Sequence, residues 1–204
     1  MRVLIVFNHP YEGSYCNAVL GSVMKGLLSN DHEVDLIHLD KDEFDPVMRS
    51  KDLKAFVSAR TQPQQSAELL DPQVQNYKER LQRAEHIIFI FPIWWELMPA
   101  LTKGFIDKVI FPGIAYDNNE HGTRMLCKLS GLRGVTMITT MNTPSIAYRL
   151  IFGNAIKKAL LTGTFWKMGV KNRNWINLTY VKFCKESKRK KWLSEIQRSM
   201  AKLA

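Results

Sequence analysis

RVLIVFNHPYEGSYCNAVLGSVMKGLLS, residues 2–29, decides how the rest of the chain is read. Its first six residues (2–7) are a short apolar run rich in β-branched side chains, which predicts a strand buried on both faces. From 14 to 29 the pattern changes period. Ala18, Val19, Val23, Leu27 and Leu28 fall at helical spacing, and Ser14 stands where an N-cap belongs. A fully buried strand passing through a short polar loop into a helix is the opening half of a βαβ unit.

The same alternation continues along the chain. EVDLIHL (33–39), HIIFIF (86–91) and GVTMITT (134–140) read as further strands, and TFWKM (164–168) as a short fifth. Helices are expected near 72–85, 99–110, 145–161 and 186–203, while 57–71 reads as a polar loop. On the 99–110 helix Leu101, Phe105, Val109 and Ile110 share a face, and Lys103 can pair with Asp107 one turn on. Strands alternating with helices imply right-handed crossovers and a parallel sheet. The expected fold is therefore α/β: a doubly wound five-stranded parallel sheet with helices on both faces. The 204 residues suit a single domain, 1–204.

With 46% hydrophobic residues the chain can build a core, which excludes the disordered class. Its net charge of +10 is uneven. Residues 1–148 hold 15 Lys/Arg against 17 Asp/Glu, whereas 149–204 hold 14 against 2. The densest cluster is Lys185, Lys188, Arg189, Lys190 and Lys191. Such a field suits an anionic surface or a phosphorylated cofactor, or is the solvated face of a terminal helix. Nucleic-acid binding is not expected, since only Phe183 and Trp192 stand as aromatics among these cations. Cys16, Cys127 and Cys184 are odd in number and far apart, so neither a disulfide framework nor a metal site is expected. The N-terminal apolar run is too short for a signal segment, and no stretch approaches the ~20 apolar residues of a membrane span. A cytoplasmic protein, not integral to a membrane, is expected.

In a doubly wound sheet, ligands sit beyond the carboxyl ends of the strands, where strand order reverses. Three segments follow strand ends. NHPYEGSYCNA (8–18) runs into a helix start, where free N–H groups and the helix dipole favour an anion. Phosphate binding and ordinary capping by Ser14 both fit that turn. A cysteine at a helix start can have a lowered pKa, but more often it simply packs, and no catalytic role is assigned to Cys16. FPIWWELMP (91–99) places two adjacent tryptophans in a loop. In extended backbone they point opposite ways, so one is expected to face a planar ligand. TTMNTPSIAYRL (139–150) adds hydroxyls, an amide and Tyr148. A ligand with a phosphate end and a flat ring satisfies all three, as flavin mononucleotide does.

These segments also carry a family resemblance. FDPVMRSKD (44–52), FPIWWELMPALTKGFIDKV (91–109), GIAYD (113–117), GTRMLCKLSGLRGVTMITT (122–140) and GTFWKMGVKN (163–172), in that order, resemble the NAD(P)H:quinone oxidoreductase family, whose fold is flavodoxin-like. The resemblance implies a ping-pong enzyme. Hydride passes from NAD(P)H to bound flavin, then to a quinone, azo compound or nitroaromatic. It further implies that Ser14, Tyr15, Cys16 and Asn17 hold the flavin phosphate with His9 nearby. Pro92, Ile93, Trp94 and Trp95 would pass beside the ring, offering backbone N–H groups. Thr139, Thr140, Met141 and Asn142 would close over the pyrimidine end, and Tyr148 would face the nicotinamide or acceptor as the catalytic side chain. FMN is expected rather than FAD because the chain is short, and a homodimer is expected because family sites lie between subunits.

The chain departs from the pattern in two places. Met141 and Asn142 stand where the family usually has two glycines, and no histidine follows His121, so a Tyr–His relay does not transfer. Two other readings of the same fold are a regulatory or membrane-docking flavoprotein subunit and a one-electron carrier.

Overall fold

The computed structural model describes residues 1–203. The elements run β1 (Arg2–Phe7), α1 (Tyr15–Leu28), β2 (Glu33–His38), α2 (Ser50–Ser58), α3 (Pro63–Glu68), α4 (Pro72–Arg83), β3 (His86–Pro92), α5 (Ala100–Val109), β4 (Tyr116–Asn118), β5 (Met125–Cys127), β6 (Gly134–Thr140), α6 (Ser145–Leu150), a π-helix (Lys157–Trp166), β7 (Asn172–Leu178) and α7 (Glu186–Met200). Five strands form one parallel sheet in the order β2-β1-β3-β6-β7. From β1 the chain steps outward to β2, then crosses back to β3 and continues the other way. Strand order therefore reverses between β1 and β3, which opens a crevice at their carboxyl ends.

The period-2 alternation of strand side chains sorts the core into two layers. Leu4, Val6, Ile87 and Phe89 face one side, against Tyr77 and Leu81 of α4 and Phe105 of α5. Val3, Ile5, Phe7, Ile88 and Ile90 face the other, against Val19, Val23 and Leu27 of α1 and Ile196 and Met200 of α7. Helices α1 and α7 approach closely at Gly26. A Cβ there would lie 2.7 Å from Met200 Cβ and collide with the backbone oxygen of Gln197.

Four strands fall where the apolar runs place them, and the fifth does not. TFWKM (164–168) lies in the π-helix and the turn after it, with Phe165 and Met168 facing the core. The wider π turn is marked by the Lys167 N–H donating to Thr162 O at 3.3 Å, five residues back. The fifth strand is β7, NRNWINL. Its Asn and Arg residues suit a sheet edge that is only half covered. The 145–161 helix is interrupted after Leu150, and segment 57–71 carries the end of α2 and all of α3 rather than a plain loop. A small antiparallel hairpin, β4–β5, projects from the chain between α5 and β6.

Candidate functional site

Register brings Phe7, Pro92, Thr140 and Leu178 to one edge of the sheet, and the segments that follow β1, β3, β6 and β7 meet there. They enclose a cleft of about 260 Å³ lined by His9, Tyr15, Cys16, Pro92, Ile93, Trp94, Thr140, Met141, Asn142, Val181 and Lys182. No carboxylate lines it, and one lysine does, so its field favours an anion.

The first wall is the β1–α1 turn. Asn8, buried at the end of β1, donates to Asp40 (2.9 Å) and accepts from Thr102 Oγ1 (2.9 Å), which ties this turn to β2 and α5. Ser14 Oγ caps α1 by accepting from the Asn17 N–H at 3.2 Å, and Asn17 Nδ2 donates to Tyr11 O at 2.8 Å. Both polar groups are thus committed to building the turn. What they leave open is backbone: among the described residues the Tyr15 and Cys16 N–H groups have no partner. Open amides at a helix start are an anion site in waiting. His9 Nδ1 accepts the Tyr11 N–H at 3.1 Å, and burial holds the ring's pKa below its ordinary value. The neutral ring therefore carries its proton on Nε2, where it can donate.

Of the two readings of Cys16, the structure shows the packing residue. Burial pushes its thiol up to about 11, outweighing the hydrogen bond with Thr140 Oγ1 at 3.1 Å. Tyr15 donates its hydroxyl to Arg189 O at 2.8 Å, pinning α1 to α7.

The second wall is a tight turn. Trp94 and Leu97 exchange backbone hydrogen bonds at 3.0 and 3.1 Å. The two central residues, Trp95 and Glu96, have φ of +48° and +64°. Left-handed backbone at both centres defines a turn that normally selects Asn or Gly. Here it is held from outside: Tyr148 donates its hydroxyl to Glu96 O at 2.8 Å, and Thr143 Oγ1 donates to Glu96 Oε1 at 2.9 Å. Neither tryptophan is core; Trp94 lines the cleft with its ring 6.1 Å from His9, while Trp95 stands 98% exposed. The N–H groups of Ile93, Trp94 and Leu97 are used within the chain, so the open amides of this loop, among the described residues, belong to Trp95, Glu96 and Met98.

The third wall follows β6. Met141 is bonded on both sides, its N–H to Leu178 O (2.9 Å) and its O to the Val181 N–H (3.1 Å). Asn142 Oδ1 accepts the Lys182 N–H at 2.9 Å. Thr139 is turned away from the cleft, donating to Asn177 Oδ1 and accepting from Trp175 Nε1, both at 2.9 Å. Tyr148 is also outside the lining. It is fully buried, and its hydroxyl accepts the Ile156 N–H at 2.9 Å while donating to Glu96. Ser14, Asn17, Trp95, Thr139 and Tyr148 thus support the cleft from behind or beside it, and the other nine expected residues line it. Val181 and Lys182 were not legible, because they follow the strand whose position the sequence disguises.

An open α/β sheet with a cleft that gathers four strand ends and exposed amides defines a doubly wound α/β protein. The chain belongs to the flavodoxin-like fold family, whose model matches residues 1–203. A ribosyldihydronicotinamide dehydrogenase-like protein of Penicillium crustosum is 29% identical over 136 residues, 61% of this chain and 49% of that protein. An NAD(P)H:quinone oxidoreductase from Methanothermobacter marburgensis superposes with a TM-score of 0.86 at 24% identity, covering 100% of this chain and 99% of that one. An FMN-dependent NADH-azoreductase of Bacillus anthracis, solved with FMN, gives 0.79 at 16% identity over 100% and 99%. The chain spans about half the length of the curated relatives it matches. Among the described residues no helix is long and apolar enough to cross a membrane.

Proposed function

We propose that this chain is a flavin-dependent NAD(P)H oxidoreductase that reduces a quinone, azo or nitroaromatic acceptor by two electrons in a ping-pong cycle. The observation that carries the reading is the presence of open amides at Tyr15 and Cys16 and of Lys182 around one cleft, free of carboxylates, at the switch point. The residues fit a flavin phosphate: open N–H donors and a lysine line the cleft, and the neutral His9 adds one N–H. The cleft is smaller than the roughly 300–1,000 Å³ of a typical ligand pocket, so the flat ring belongs at its open rim beside Trp94.

Bound flavin supplies the hydride chemistry. The protein's share is positioning and charge. The Trp95 and Glu96 amides offer fixed dipoles to negative charge developing on a ring at the rim, and fixed dipoles cost no reorganisation during the reaction. Met141, tied at both ends, bounds the space where paired glycines would leave room. Tyr148 acts as a positioning residue that holds the strained turn presenting those amides. Its hydroxyl lies outside the cleft with both its bonds made inside the protein, which argues against the proton-donor role.

FMN is favoured over FAD. The groove that continues from His9 is lined by Glu12, Asp40 and Glu43 against one lysine, Lys41, which is already paired with Glu12, a poor surface for a second phosphate. The apolar side chains exposed beside the rim, Trp95, Ile146, Leu150 and Ile151, support a homodimer that covers them. A cytoplasmic location accords with this soluble chemistry. Mass analysis of flavin released from purified protein tests the cofactor: FMN is expected, and a protein that retains neither FMN nor FAD refutes the reading.

A further inference from the structure

The turn that leaves β7 and enters α7 gathers charge that the fold does not use. Residues 180–191 carry six cations, Lys182, Lys185, Lys188, Arg189, Lys190 and Lys191, against one acid, Glu186. Lys182 lines the flavin cleft, and Arg189 donates to the carbonyls of Val181 and Cys184 at 3.2 and 2.9 Å. Lys190 and Lys191 meet Glu186 and Glu195 in exposed pairs along α7. Lys185 and Lys188 are exposed, and among the described residues neither is in a salt bridge.

Stability does not account for this arrangement. Lys185 is the N-cap of α7 and Lys188 stands in its first turn, the end of a helix whose dipole disfavours cations. Tyr180 has φ +59°, a left-handed conformation that glycine meets without strain, yet a ring is retained there, 45% exposed. Its neighbour is Phe183, 61% exposed, with ring centroids 5.0 Å apart. The turn is fixed: the N–H groups of Phe183 and Cys184 both return to Tyr180 O, and Arg189 ties the segment to α7.

Two adjoining rings on a fixed turn, flanked by lysines, match the two parts of a membrane surface, apolar chains beneath anionic headgroups. We propose that the turn 180–188 docks on an anionic lipid bilayer, with both rings at headgroup level and Lys185 and Lys188 on lipid phosphates. The kind of cation favours lipid over an acidic protein or nucleic acid. Lysine is a point charge that suits a fluid array of headgroups, whereas the turn's one guanidinium, which would give bidentate recognition, is spent on backbone carbonyls. Because Val181 and Lys182 also line the flavin cleft, docking brings the mouth of that cleft to the membrane. The inference does not depend on what the cleft holds.

The test is flotation of the full chain with vesicles, excess FMN being present throughout so that the cleft is not the anion site. An equimolar mixture of phosphatidylcholine and phosphatidylglycerol is expected to carry the protein, and phosphatidylcholine alone is not. Lys185→Gln/Lys188→Gln is expected to weaken binding about tenfold or more. Salt at about 1 M, where screening acts over ~3 Å, is expected to release most of the protein. Phe183→Ser is expected to weaken binding several-fold at unchanged charge. All three side chains are exposed, and unchanged thermal melting of the variants confirms that folding is not the cause. No flotation with the anionic vesicles, or equal flotation with the neutral ones, overturns the proposal. Flotation undiminished by Phe183→Ser overturns ring entry and with it the lipid assignment. Tighter retention on duplex DNA or polyglutamate than on the vesicles assigns the turn to an acidic polymer instead.

Discussion

The hydroxyl of Tyr148 donates to the carbonyl oxygen of Glu96 at 2.8 Å, across 52 residues of sequence, while accepting the N–H of Ile156. One buried side chain thereby joins the left-handed turn at the cleft rim to the segment that enters the π-helix.

Replacing Tyr148 by Phe removes both bonds and leaves the buried Ile156 N–H and the part-buried Glu96 carbonyl unpaired, which should cost about 1–3 kcal/mol of stability. Thermal denaturation should show that loss, and FMN affinity should fall several-fold as the turn loosens. The rate of bound-flavin reduction should change by less than about tenfold, the lower limit for loss of a general acid being ~100-fold. Its pH profile should not move. A loss of activity with FMN affinity unchanged would return Tyr148 to the chemistry.

Lys78 is 2% exposed, its Nζ has no hydrogen-bond partner, and it lies 3.5 Å above the Phe111 ring centroid. Burial pushes its pKa down to about 7. A lysine whose folded pKa lies below its unfolded one contributes no penalty above the unfolded value. The penalty grows as pH falls towards the folded pKa and is constant below it. Lys78→Met should therefore be more stable than the parent, with the gap widening from pH 10 to about 7 and then levelling, reaching about 2–4 kcal/mol. Urea denaturation across that range measures it; a gap independent of pH would show Lys78 charged throughout.

Alkylation should separate the cysteines. Cys127 is exposed, whereas Cys16 is buried with its thiol raised to about 11. Iodoacetamide at neutral pH should modify Cys127 rapidly and leave Cys16 protected until the protein is unfolded, as read by peptide mass. Rapid labelling of native Cys16 would contradict the packing described for the first wall.

Gly26→Ala should destabilise the fold even though alanine is the better helix former. The added methyl meets Met200 and the backbone of Gln197, and overpacking typically costs ~1–3 kcal/mol. A neutral or stabilising effect would mean that α7 is free to shift.

Which parts the sequence discloses follows from burial. β1, β3 and β6 are covered on both faces, so their apolar runs announce them. β7 is an edge strand with three asparagines and an arginine in seven residues, and nothing local marks it. TFWKM looks like a strand because Phe165 and Met168 are core, but their burial is met by a π turn. The site follows the same rule. Loops after legible strands were found, down to nine lining residues, whereas Val181 and Lys182 were hidden behind β7. Thr139 and Tyr148 have the right residue types for a site, and only tertiary hydrogen bonding reveals that both are spent inside the protein.

The central claim is hydride transfer to a flavin held at the switch point, and the direct measurement is anaerobic stopped-flow absorbance of FMN-loaded protein mixed with NADPH. The account predicts that the flavin's visible absorption bleaches in a single two-electron phase and returns on adding a quinone, with Lys182→Ala reducing FMN affinity beforehand. Bound flavin that stays oxidised in the presence of both NADPH and NADH would contradict it.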